Sequence, residues 1–253
     1  MGFAMDKSTN SRQIHGERFP PLVTPVRLRE LSDAHEHALA HASEAGAGTI
    51  FHVGRFDQVE FALVLEPDAP LFNARRVLFA GMNALAETIA ADCPPEREVH
   101  FGYPADLHFD NGLVGGMRIG WPDGADENTV PDWIVLSAII RTGGFAELGF
   151  TLSRDGTTLG EAGFETVDPE AFTARFCRHF MAEIDDWQER GFQGIGQRYL
   201  ARLPKAADVM TRGIDGNGDL MVQRKGEATA RTPLLAGLEH PGWYEPESRS
   251  VRV

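Results

Sequence analysis

The chain has 253 residues, 42% hydrophobic and 24% charged, with a formal net charge of −13 at pH 7. That length accommodates one large domain and a small appendage, and the composition is that of an ordinary soluble protein. The acidic balance argues against nucleic-acid or anionic-membrane partners, since both need a concentrated positive field. No apolar run approaches the ~20 residues of a membrane helix. The first residues lack a signal-peptide core, and Asp6 stands where a myristoylation motif wants Ser or Thr. Cys93 and Cys177 make no metal or redox spacing, so two reduced thiols in a cytoplasmic protein are expected.

Residues 1–18 read as a flexible tail. Leu31 to Glu44 reads as a helix with Ser32 as N-cap and Gly46 beyond its end. Two strands follow, at residues 49–53 and 59–65, joined by Gly54-Arg55-Phe56-Asp57. Leu71, Leu78, Met82, Leu85 and Ile89 recur at helical spacing before Pro94-Pro95. Strands are then expected at 99–103, 107–109, 113–121 and 133–141, with Asp110-Asn111-Gly112 as a tight turn. A further strand is expected at 150–153, followed by a turn at Arg154-Asp155-Gly156.

Asp168-Pro169-Glu170 opens the longest helix, an N-cap followed by proline in the first turn. Phe172, Phe176, Phe180, Ile184 and Trp187 line one face, and Gly191 ends it. A shorter helix runs through Tyr199 and Leu203 to Pro204. Asp219 to Arg224 reads as a strand. The expected organisation is a main domain over 19–204 and a small β-rich C-terminal domain over 205–253.

This order of elements surrounds one distinctive stretch: Gly102-Tyr103-Pro104-Ala105-Asp106, the Asp110-Asn111-Gly112 turn, then Leu113-Val114-Gly115-Gly116-Met117. It resembles the catalytic domain of the biotin/lipoate–protein ligase family, whose corresponding stretch reads Lys-Trp-Pro-Asn-Asp, a short hairpin, and Lys-Leu-Ala-Gly-Ile. Thr158-Leu159-Gly160-Glu161-Ala162-Gly163 is similar to that family's entry into its last catalytic-domain helix. Gly213-Ile214-Asp215 and Gly218-Asp219-Leu220 resemble the opening of the small C-terminal barrel of biotin ligases. The resemblance implies an α+β fold, a mixed sheet packed with helices plus a small β-rich appendage. It also implies a pocket for biotin or a similar acid and, if the ligase chemistry is kept, ATP with magnesium and a carrier-protein acceptor.

Three departures bear on that chemistry. The family's two motif lysines are Gly102 and Leu113 here, and its glycine- and arginine-rich adenylate loop is reduced to Gly54-Arg55. No lysine lies between Lys7 and Lys205. Forming an acyl-adenylate brings a carboxylate to a triphosphate, so cations must offset concentrated negative charge. Arginine's planar fork does not reproduce a compact ammonium. Losing one charge-assisted hydrogen bond removes about 1.5–3 kcal/mol, which is ten- to more than a hundred-fold in rate at ~1.36 kcal/mol per decade.

The candidate ligand-binding residues are His52, Gly54, Arg55, Asp106, Gly115, Gly116 and Arg118. Gly115 and Gly116 would let backbone approach a flat ring; a bulge or close strand contact is the alternative. Arg118 shares the face of Gly116 two residues on, and reads as either a replacement cation or a surface arginine. Arg55 reads as an anion contact or a solvated turn residue. Asp106 reads as a ligand group or a turn cap, and His52 as a pocket or plain strand residue. His37 and His41 lack a third metal ligand, so no metal site is expected. Asp215-Gly216-Asn217-Gly218-Asp219 lacks the glycine and glutamate of a calcium loop and reads as a hairpin turn. The two cysteines read as structural, with no lysine to activate them.

Three functions stay open. One is an ATP-dependent ligase acting on a carrier lysine. Another is a non-catalytic sensor or carrier of a small carboxylic acid. The third is a carrier-protein interaction module. With the lysines absent, the acid-binding module is chemically favoured over the ligase. A pocket filled by Tyr103, Phe56 or Trp121 would instead favour the interaction module.

Overall fold

The computed structural model describes residues 18–94, 97–143 and 156–252. Seven strands form one mixed sheet: β1 (Thr24–Leu28), β2 (Thr49–Val53), β3 (Gln58–Leu65), β4 (Val99–Gly102), β5 (Asp106–Phe109), β6 (Gly112–Gly120) and β7 (Ile134–Arg141). Their order across the sheet is β1-β2-β3-β7-β6-β5-β4. β1 runs parallel to β2, and every other neighbouring pair is antiparallel.

Successive side chains of a strand point to opposite faces, which decides where the helices pack. Val59, Phe61 and Leu63 of β3 join Ile134, Leu136, Ala138 and Ile140 of β7 in the main core. Ala62, Val64 and Val135 belong to a second cluster on the opposite face. There α1 (Ala34–Ala45) presents Ala34, Ala38 and Ala42 at four-residue spacing, side chains small enough for close approach to the sheet. The main core is closed by α2 (Leu71–Ala74), α3 (Val77–Ala90), α4 (Pro169–Arg190) and α5 (Phe192–Ala201). With apolar residues on both faces, β3 and β7 read as continuous hydrophobic runs.

Local signals fix most boundaries. Asp168 caps α4 by accepting from the N–H groups of Glu170 and Ala171. Gly191 follows at φ 79° and ends it. At α1 the cap is Asp33, whose carboxylate accepts from Glu36 N–H, so the helix starts later than a Ser32 cap would place it. The β5–β6 turn carries positive φ at Asp110 (48°) and Asn111 (77°), not at Asn and Gly. Gly112 is already the first residue of β6, paired with Phe109. Two central residues at positive φ give the mirror-image turn that suits the twist of a hairpin. The strand expected at 150–153, with Arg154 and Asp155 of its turn, and residues 1–17 of the expected tail lie outside the described residues.

The C-terminal part divides into two pieces. β8 (Val209–Ile214), β9 (Leu220–Arg224) and β10 (Ala230–Thr232) make a small antiparallel sheet. In the β8–β9 turn, Asp215 Oδ1 accepts from the N–H groups of Asn217 and Asp219, so this segment is a hairpin turn. Tyr103 ties this sheet to the main domain: its hydroxyl donates to Gly218 O (2.8 Å) and accepts from Leu220 N–H (3.2 Å). After α6 (Leu234–Glu239), the chain forms a hairpin of β11 (Tyr244–Glu245) and β12 (Ser250–Val251) whose strands pair only with each other. Trp243, Tyr244 and Val251 cluster on Ile139 of β7, with Leu113 of β6 packed against them. Residues 205–253, read in the sequence as one small domain, thus supply both a sheet and a segment laid across the main domain.

Candidate functional site

Gly116 and Arg118 point to the same face of β6, and both meet the C-terminal hairpin. A Cβ on Gly116 would come within 2.4 Å of Trp243 Cε2 and 2.5 Å of Ala105 O. Only glycine lets the indole and the backbone come that close. Trp243 is fully buried. Gly115 behaves differently: its Cβ would lie 2.0 Å from Ile139 O, so it serves a close contact between β6 and β7.

Arg118 sits with its guanidinium carbon 4.1 Å from the ring centroid of Tyr244. Its Nη2 lies 3.4 Å from Asp33 Oδ1 at the cap of α1. Beside it a cavity of about 10 Å³ is lined by Asp106, Met117, Arg118, Leu238 and Trp243 among others. That is at the lower limit for a single water. Burial raises the Asp106 carboxyl to about 6, with Arg252 pulling the other way. Three buried polar atoms here have no hydrogen-bond partner: Trp243 Nε1, Arg118 Nε and Asp33 Oδ2. Each such atom costs about 1–3 kcal/mol in lost hydration.

The polar lining continues along α1. Glu60 accepts from Ala34 N–H (2.7 Å) and from Gln58 Nε2 (3.0 Å). Burial pushes its carboxyl above the usual range, while these two hydrogen bonds oppose the shift. His35 Nδ1 is 2.7 Å from Ser137 Oγ. Burial, helped by Arg118, lowers its imidazole to about 3, so it stays neutral near pH 7.

The other three candidates lie on β2 and in the β2–β3 connection. His52 is paired with Phe61 in the β2–β3 ladder and shares its face, on the α4 side of the sheet. It lines an open cavity of about 520 Å³ with Gly54, Arg55, Arg27 and Glu170. Burial lowers the His52 pKa, Glu170 opposes this and Arg27 adds to it. Arg55 makes a two-pronged pair with Asp57 at 2.9 and 2.6 Å, so its charge is already compensated. A Cβ on Gly54 would meet the Arg27 guanidinium at 2.5 Å. Strand alternation therefore separates His52 from Gly116 and Arg118, whereas Gly54 and Arg55 lie in the β2–β3 connection. The Arg55 pKa is raised chiefly by its hydrogen bond to Asp57, against burial, with Glu60 of the α1 face adding to it. Trp243 and Tyr244 escaped the sequence reading because no local pattern announces a long-range partner.

The two positions matching the family lysines also meet the covered face. A Cβ on Gly102 would lie 2.9 Å from Asp106 Cβ, and Leu113 packs against the Trp243 cluster. Tyr103, the aromatic of the same motif, anchors the β8–β9 turn. His37 and His41 stack on each other with ring centroids 4.2 Å apart. Among the described residues no three His, Cys, Asp or Glu side chains are grouped to hold a metal ion. Nor is any described helix long and apolar enough to cross a membrane. Cys177 is buried, which pushes its thiol up to about 12, and Cys93 is shifted up as well.

Solved structures share this architecture. A biotin protein ligase-like protein of unknown function from Silicibacter sp. TM1040 superposes with a TM-score of 0.74 at 24% identity, over 87% of this chain and 98% of that one. The biotin protein ligase of Aquifex aeolicus in complex with biotin and ATP gives 0.62 at 13% identity, over 83% and 95%. That of Leishmania major in complex with biotinyl-5-AMP gives 0.55 at 12% identity, over 84% and 98%. No curated protein matches the sequence. The model of the biotin/lipoate A/B protein ligase family matches residues 19–201, most of the chain, and the protein belongs to that family.

Proposed function

We propose that this protein is a binding module of the ligase fold, holding a small carboxylic acid at Gly116 and Arg118 without activating it as an adenylate. The observation that carries this reading is the fate of the second lysine position. Leu113 packs into the cluster around Trp243 and contributes no cation to the site. The Gly102 position is likewise closed to a side chain by Asp106. Residues in this arrangement do not fit a triphosphate, so no step through ATP or magnesium is assigned to them.

What does fit is a single negative charge. Arg118 and the N-terminus of α1, capped by Asp33, converge at one end of the face. A carboxylate accepting from Arg118 would satisfy its unpartnered Nε, and an apolar body would lie along Gly116. Solved relatives bind biotin, an acid of this class.

Calorimetric titration with biotin, lipoate, octanoate and a non-hydrolysable biotinyl-adenylate analogue tests the reading. Binding of a free acid, with nothing gained from the adenylate, is the expected result. Much tighter binding of the adenylate analogue would mean a working nucleotide subsite and overturn it. The second reading is a carrier-protein interaction module, favoured by the complete burial of Trp243 over Gly116. Heat from none of the four ligands would leave that reading.

A further inference from the structure

We infer that residues 241–252 form a displaceable strap that competes with the ligand for the face of the sheet at Gly116. This rests on the acid-binding reading above and concerns its regulation. The ring over Gly116 comes from the chain itself: Trp243 fills the space that a flat ligand body would use.

The attachment of the strap is of a kind that can be exchanged. Among the described residues, no backbone–backbone hydrogen bond joins 241–252 to the seven-stranded sheet. The strap closes on itself instead, through two β11–β12 residue pairs and the Arg252 N–H to Trp243 O hydrogen bond of 2.7 Å. Its links to the main domain are made by side chains. Arg141 Nη2 donates to Val251 O (2.6 Å) and Arg252 O (2.7 Å), and Arg118 lies over Tyr244. By contrast, the turn at Gly218–Leu220 is fastened through its own backbone groups to Tyr103. The small sheet can therefore stay docked while the strap leaves.

The covered state also leaves polar atoms on both sides of the contact unmet. Trp243 Nε1 on the strap, and Arg118 Nε and Asp33 Oδ2 on the main domain, are buried without partners. A ligand bearing a carboxylate and a ring-edge donor would pair with what the indole leaves unpaired. Leu113, at the position of a family lysine, contributes to the seat of the strap, so the same substitution that removes a cation supplies apolar contact for the cover.

The test uses the full chain and two variants, Trp243→Ala and Val251→Asp. The first removes the ring, and the second keeps the ring but places a charge in the buried seat of the strap on Ile139. Biotin and octanoate are the calorimetric probes. The expected result is at least tenfold tighter binding to both variants than to the unmodified chain. A tenfold gain corresponds to a site open about 10% of the time or less in the unmodified protein. Equal affinity in all three proteins would overturn the strap while leaving the acid-binding reading intact. Absence of binding even where amide exchange shows 241–252 released would overturn both. Should either variant fail to fold, amide exchange on the unmodified protein decides. Saturating acid should accelerate exchange in 241–252 and leave β8 to β10 unchanged; no acceleration under saturation would overturn the strap.

Discussion

Arg118 carries its guanidinium 4.1 Å from the ring centroid of Tyr244 while its Nη2 lies 3.4 Å from Asp33 Oδ1. One side chain thereby connects the C-terminal hairpin to the cap of the helix on the same face of the sheet. Replacing Tyr244 by Leu keeps apolar bulk but removes the ring quadrupole that attracts the cation. The expected loss is about 0.5–2 kcal/mol in urea unfolding, the range of a cation–π contact. Amides of 241–252 should exchange faster in that variant.

Gly116→Ala probes the closest approach in the site. The added methyl meets both the Trp243 ring and the Ala105 carbonyl at about 2.5 Å, and the carbonyl is backbone that cannot swing away. Overpacking of this kind costs about 1–3 kcal/mol. A lower thermal midpoint, accompanied by increased solvent quenching of tryptophan fluorescence, is the expected outcome.

Two buried groups give opposite pH dependence. His35 has its folded pKa lowered to about 3, so the unfolded chain binds the extra proton between pH 3 and 6.5. Stability from this group is therefore lost as pH falls through that window, with a slope approaching about 1.4 kcal/mol per pH unit. His35→Gln should flatten the acid limb in urea midpoints measured from pH 4 to 7.

Asp106 has the reverse sign. Its folded pKa is raised to about 6, so the folded state holds the proton more tightly. Between the unfolded value of 3.8 and about 6, stability from this group falls as pH rises, and it remains lower above that range. Asp106→Asn removes the buried charge. It should stabilise the protein at pH 7.5 more than at pH 4.5, as read from denaturant midpoints at the two values.

Tyr103→Phe removes a donor to Gly218 O and an acceptor for Leu220 N–H in one step. Two hydrogen bonds at about 0.5–1.5 kcal/mol each predict a loss of about 1–3 kcal/mol. Amide exchange should rise first in β8 and β9, since these lose their tie to the main domain.

The helices were legible because their signals are local. Apolar residues at helical spacing marked α3 and α4, and Asp168 before Pro169 marked where α4 starts. The Asp110-Asn111 turn was legible for the same reason, displaced by one position because Asp tolerates positive φ as well. At α1 the competition between Ser32 and Asp33 for the cap was decided by which side chain reaches Glu36 N–H.

The sequence by itself determined the family resemblance, the α+β element order and the loss of both motif lysines, because motifs, caps and periodicity are encoded within a few residues. It also determined that Gly116 and Arg118 share a face, since strand alternation has a fixed period of two. Only the tertiary structure decided that His52 opens on the opposite side of the sheet from Gly116 and Arg118, and that Arg55 is paired with Asp57. It alone brought Trp243 and Tyr244 onto β6 from far along the chain. That placement depends on burying an indole against a bare glycine backbone, an interaction between distant segments that leaves no periodic trace in either one.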